Sequence, residues 1–73
     1  MPVTVITSPG CQPCRITKMM LTNQGVDYQE RNVADDPDAL ELAKSLGYST
    51  SPVVIAGEQN WSGFRPDLIA ALG

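Results

Sequence analysis

The chain has no histidine. It therefore lacks both the side chain that most often serves as a general base near neutral pH and the commonest metal ligand. Basic residues are few: five Lys and Arg stand against eight Asp and Glu, a net charge of −3. Such a chain cannot neutralise a phosphate backbone, so no nucleic-acid partner is expected. No apolar run approaches the roughly 20 residues that a membrane helix needs. The first residues carry no basic stretch followed by an apolar one, so no targeting signal is expected. The chain reads as soluble and cytoplasmic, with no membrane contact. Aromatic residues are scarce, with one Trp, one Phe and two Tyr, and cysteine occurs only twice.

What is present suffices for one small domain covering residues 1–73. At 42% hydrophobic and 18% charged, the composition is globular and not disordered. A chain of this size buries only about 60% of the surface its unfolded form exposes, so the core is modest. Val3-Thr4-Val5-Ile6-Thr7 is β-branched throughout and reads as a central strand. After the loop Ser8-Pro9-Gly10, a helix is predicted with Ile16, Met19 and Met20 on its apolar face, closed by a left-handed Gly25. Residues 26–32 alternate and read as an edge strand. Asp35-Asp36-Pro37-Asp38 opens a second helix, since acidic residues suit its positive end and Pro37 its first turn. Ala39, Leu40, Ala43 and Leu46 form its stripe and Gly47 ends it. Val53-Val54-Ile55 is an apolar strand, Gly57-Glu58 a turn, and Asn60-Trp61-Ser62 a last strand. A final helix of about two turns runs over residues 66–72. The order β-α-β-α-β-β-α predicts an α/β fold: a parallel first pair, a hairpin from the last two strands, and a mixed four-stranded sheet with helices on both faces.

The chemistry must lie in Cys11-Gln12-Pro13-Cys14, placed after a strand at the opening of a helix. In that context C-x-x-C reads as a thiol–disulfide redox motif. Near the N-cap, unsatisfied backbone N–H groups and the helix dipole favour a Cys11 thiolate, the form that attacks disulfides. Cys14, in the first turn and pointing inward, is placed to resolve the mixed disulfide. Arg15 and Lys18 add positive charge, with no acidic residue between Cys11 and Gln24. With Cys11 as N-cap, Pro13 falls at N2 and withholds an N–H. A less stabilised thiolate means a more reducing couple, nearer thioredoxin at about −270 mV than glutaredoxins at about −200 to −230 mV. Two other readings stay open. A structural zinc site needs about four ligands, which two thiols and no histidine supply only in a dimer. Two inert buried cysteines are the other.

Ser51-Pro52 before an apolar strand fits either an ordinary trans boundary or a cis bond in a tight turn. Trp61-Ser62-Gly63-Phe64-Arg65-Pro66-Asp67 gathers the only Trp and Phe. It reads either as packing residues or as a shaped loop. Met19 and Met20 read as core, and the acidic run over residues 35–38 as a helix cap without chemistry.

With these residues in place, the whole chain resembles the NrdH-redoxins, small glutaredoxin-like proteins. The resemblance rests on the early C-x-x-C, Thr17-Lys18, Pro52-Val53-Val54-Ile55 and, most specifically, the heptad from Trp61 to Asp67. It implies a thioredoxin fold and a monomeric thiol–disulfide oxidoreductase without cofactor or metal. The implied role is electron donor to a class Ib ribonucleotide reductase, with thioredoxin reductase, not glutathione, as reductant. By the same resemblance Cys11 is the nucleophile, Cys14 its partner, and Pro52 a cis-proline facing the disulfide. Gln12, Pro13 and Ser51 support the site. Trp61, Ser62, Gly63, Phe64, Arg65, Pro66 and Asp67 close the last loop and form a partner surface, in the region where glutaredoxins bind glutathione. Two places depart from the family pattern: Gln12-Pro13 stands where Val-Gln or Met-Gln is usual, and Ser51 where Ala or Leu is common. The alternatives are a glutathione-dependent glutaredoxin and, in another class, a metal-binding or interaction module. Glutaredoxins carry Gly-Gly and an acidic pair after the fourth strand, whereas Gly63-Phe64-Arg65 stands here. Arg65, the one cation in that loop, is expected to be occupied by Asp67, leaving no free fork for a ligand carboxylate.

Overall fold

The computed structural model describes residues 3–72. β1 (Val3–Thr7) is β-branched throughout and sits inside the sheet, with Val5 and Ile6 almost wholly buried. Its neighbours are β2 (Gln29–Asn32), parallel, and β3 (Val53–Ala56), antiparallel; β4 (Gln59–Ser62) completes the order β2-β1-β3-β4. The mixed sheet, the parallel first pair, the last hairpin and the edge position of β2 all agree with the sequence reading. β2 is shorter than the predicted 26–32 because the Val26 N–H is bonded to the Leu21 carbonyl as part of the preceding helix end.

Successive side chains of β1 point to opposite faces, and each face carries its own core. Val3 and Val5 pack with Val54, Trp61, Leu21 and Ile69, the last two from α1 (Gln12–Asn23) and α3 (Pro66–Ala70). Ile6 and Val53 pack on the other face with Ala39 and Ala43 of α2 (Pro37–Ser45). Two small alanines let α2 lie close to the sheet. The chain leaves α1 and α2 through paired reverse bonds at a left-handed glycine. Gly25 (φ +74°) donates to Thr22 and Val26 to Leu21; Gly47 (φ +87°) donates to Lys44 and Tyr48 to Ala43. Asp36 caps α2 through Oδ1 to the Ala39 N–H, 3.2 Å, and pairs with Arg31 at 2.8 Å. The Arg31 hydrogen bond is the main cause of its lowered carboxyl pKa. Any stabilisation from this pair is complete above the ordinary carboxylate range and fades as pH falls through the lowered value.

The helical faces differ from expectation. Ile16 and Met19 are 44% and 56% exposed, and α1 buries Cys14, Thr17 and Leu21 instead; Met20 only flanks the core. Both sets have helical spacing, and the buried one carries a cysteine and a threonine, so hydropathy alone selects the wrong stripe. On α2 the buried line is Ala39 and Ala43 with Leu42 beside it, while Leu40 and Leu46 face solvent. α3 ends at Ala70, with Leu72 in a following turn. Among the described residues no helix is long and apolar enough to cross a membrane.

Candidate active site

Strand register brings three segments to one end of the sheet. β3 runs antiparallel to β1 with Ile6 opposite Val53, so residues 51 and 52 arrive beside the loop that leaves β1. β4 pairs Ser62 with Val53 and delivers the start of the 61–67 heptad to the same end. The Cys11–Cys14 turn begins α1 there.

Cys11 is the N-cap of α1, with extended backbone (φ −93°, ψ 106°), and its Sγ accepts the Cys14 N–H at 3.1 Å. The first turn contains no acidic residue. A thiolate at this position faces the positive end of a twelve-residue helix. Cys14, 2% exposed, lies beneath it, and the two sulfurs are bonded, with Cα atoms 5.3 Å apart. That bond removes the reading of two inert, separately buried thiols. Pro13 occupies N2 as expected, and the amide that reaches the sulfur is that of N3.

The Ser51–Pro52 peptide is cis, and Pro52 is buried. Ser51 Oγ donates to Cys11 Sγ at 3.5 Å and lies 2.6 Å from Ser8 Oγ. A serine has one hydroxyl hydrogen. If Ser51 gives its hydrogen to sulfur, Ser8 must donate to Ser51, and the chain of bonds runs from Ser8 through Ser51 to Cys11. This second donor offsets the shortage expected from Pro13 alone. Ser51→Ala is predicted to raise the Cys11 thiol pKa by roughly one to two units, since hydrogen bonds to charged groups contribute about 1.5–3 kcal/mol and one unit is about 1.4 kcal/mol. Ultraviolet thiolate absorbance against pH reads the shift directly; an unmoved pKa rules out the Ser51 contribution.

The heptad is tied to the same loop. Gly63 N–H donates to the Pro52 carbonyl at 2.8 Å. Ser62 Oγ donates to the Thr50 carbonyl at 3.0 Å and lies 2.7 Å from Thr50 Oγ1. Trp61 corrects the expectation of a partner surface at that position. It is 5% exposed and sits in the core, because β4 alternation turns it toward α1 and α3. Phe64 is 37% exposed. Arg65 pairs with Asp67 through Nε (3.3 Å) and Nη2 (3.2 Å), the pairing that the sequence predicts, and that bond is the main cause of the lowered Asp67 pKa. Pro66 is the first residue of α3 and Arg65 its N-cap.

Gln12 is exposed and borders a cleft of about 290 Å³ beside both cysteines, with Arg15, Lys18 and Glu30 as its charged lining. Ser8 and Glu30 are the residues that sequence reasoning missed. A hydroxyl three positions before the first cysteine was a usable signal for Ser8. Glu30 had none, since its approach depends on the β1–β2 register. Among the described residues no group of three His, Cys, Asp or Glu is placed to hold a metal.

Comparison with known proteins agrees with this geometry. The glutaredoxin family profile matches residues 3–61. The glutaredoxin-like protein NrdH of Escherichia coli is 43% identical over 72 residues, covering 99% of this chain and 89% of that protein. The protein of the same description from Lactococcus lactis subsp. cremoris is 30% identical, covering 96% and 97%. The solved structure of the Escherichia coli NrdH-redoxin superposes with a TM-score of 0.95 at 42% identity, covering 100% of this chain and 96% of that one. With its C-x-x-C disulfide at a helix N-terminus on a thioredoxin-like sheet, the chain belongs to the glutaredoxin-like NrdH-redoxin family.

Proposed function

We propose that the protein is a cytoplasmic dithiol electron carrier that reduces a class Ib ribonucleotide reductase and is itself reduced by thioredoxin reductase. The observation that carries this reading is the asymmetry of the cysteines. Cys11 is partly exposed, at a helix N-terminus, with a backbone N–H and a hydroxyl aimed at its sulfur; Cys14 is buried beneath it. The Cys11 thiolate attacks a partner disulfide: the partner S–S bond breaks, a Cys11–partner bond forms, and one partner thiolate leaves. Cys14 then loses its proton and attacks Cys11 Sγ. The mixed bond breaks, the Cys11–Cys14 bond forms, and the second partner thiolate leaves, so two electrons have passed to the partner. The dithiol of the reductase runs the same steps in reverse on this disulfide.

The choice of reductant rests on the last loop. Glutathione is anionic, and its carboxylates need cations or backbone N–H groups. Arg65 is engaged with Asp67, and the Gly63 N–H is given to Pro52. The solved Escherichia coli relative is described as a glutaredoxin-like protein with a thioredoxin-like activity profile, which supports the same choice. The test offers the oxidised protein NADPH with thioredoxin reductase in one reaction, and millimolar glutathione with its reductase in another. Rapid reduction in the first and slow reduction in the second is expected. The reverse establishes the glutathione-dependent alternative.

A further inference from the structure

Resting on the dithiol-carrier reading, we propose that Glu30, through its pairing with Lys18, holds down the positive potential at Cys11 and so sets how strongly reducing the carrier is. Lys18 follows Cys14 by one helical turn, on the same face of α1, and both border the cleft that Cys11 borders. Its Nζ lies 3.1 Å from each carboxylate oxygen of Glu30. An ordinary exposed pair of this kind contributes little because both side chains are free to wander. This one is anchored. Thr7, 1% exposed at the end of β1, donates its hydroxyl to Glu30 Oε2 at 2.8 Å. The Thr7 hydrogen bond, followed by that from Lys18, lowers the Glu30 pKa, so the group is anionic at neutral pH.

The cleft thus holds two cations and one anion: Arg15 and Lys18 from α1, Glu30 from β2. The other two ion pairs among the described residues, Arg31–Asp36 and Arg65–Asp67, do not border it. A negative charge here opposes the Cys11 thiolate directly and also cancels the Lys18 charge that would favour it. Glu30 touches no reacting atom; it is a tuning residue that acts through Lys18 and through the field. Stabilising the thiolate stabilises the reduced form and makes the couple more oxidising. Removing the Glu30 charge therefore moves the carrier in the oxidising direction, and removing the Lys18 charge moves it in the reducing direction.

The experiment equilibrates wild type, Glu30→Gln, Lys18→Gln and the double variant with a dithiothreitol redox buffer, and titrates Cys11 by thiolate absorbance in each. Wild type must first exchange reversibly with the buffer; failure there overturns the carrier reading and, with it, the tuning proposal, whereas normal wild-type exchange with unmoved variants overturns the tuning proposal alone. Glutamine keeps an oxygen for Thr7, so the anchor survives. Glu30→Gln is expected to shift the equilibrium about threefold toward the dithiol, about 14 mV upward by the two-electron relation, with a lower Cys11 pKa. Lys18→Gln is expected to shift both readouts the opposite way, with the double variant between the singles. High salt should shrink the differences. Single variants that leave both readouts unmoved, or that shift them in the same direction, overturn the proposal.

Discussion

Cys14→Ser is expected to convert the carrier into a trap that accumulates one equivalent of a Cys11-linked mixed disulfide with its protein substrate. Cys14 sits beneath Cys11 on the first turn of α1, with the Cα atoms 5.3 Å apart. Resolution is therefore intramolecular, and well-oriented intramolecular reactions reach effective concentrations of about 10⁵–10⁸ M. No free thiol at millimolar concentration replaces that, so release of the substrate becomes the slow step. Cys11→Ser should trap nothing, because the remaining thiol is 2% exposed and cannot meet a protein disulfide. Non-reducing electrophoresis and intact mass show the adduct. Wild-type turnover by the Cys14 variant in a thiol-free assay contradicts the division of roles.

Trp61→Ala should destabilise the fold by about 3–5 kcal/mol, the usual cost of emptying a large aromatic site in a core. Domains of this size hold roughly 4–11 kcal/mol in all, so the loss is a large part of the total. Each kcal/mol moves Tm by about 4–8 °C at this length. Trp61→Phe should be far milder. The indole Nε1–H is buried without a hydrogen-bond partner in the protein, an arrangement that costs about 1–3 kcal/mol, and phenylalanine discards it. Folded Trp61→Phe should accept electrons from thioredoxin reductase within about twofold of wild type, by comparison of thermal melts with NADPH oxidation rates. A phenylalanine variant that melts like wild type yet loses most of its turnover would return Trp61 to the partner surface.

Element order, the parallel first pair, the last hairpin and the position of the cysteines were legible in the sequence for physical reasons; the antiparallel pairing of β1 with β3 was not. A β-branched run can be little else than a strand, and a strand followed closely by a helix-opening cysteine pair puts thiols at a dipole. Gly25, Gly47 and Pro37 marked helix ends through backbone constraints that hold wherever they occur. The faces of α1 and α2 were not legible. Thr17 and Cys14 bury where Ile16 and Met19 do not, because the sheet, and not hydropathy, decides which stripe it covers. Trp61 posed the same problem: its direction follows from the pairing of Val54 with Trp61 across β3 and β4, a fact about register. Glu30 meets the site only through tertiary approach, 23 residues from Thr7, and although Ser8 is close to Cys11 in sequence, its bond to Ser51 spans 43 residues. The Arg65–Asp67 pair was readable because its partners are two residues apart.

The most direct test of the carrier role is reconstitution of the full electron path. NADPH, thioredoxin reductase, a class Ib ribonucleotide reductase and its ribonucleotide substrate are combined with and without the protein, and deoxyribonucleotide is measured. Product formation should rise with carrier concentration and be abolished by Cys11→Ser. No product with wild-type carrier, or equal product when glutathione and its reductase replace thioredoxin reductase, would contradict it.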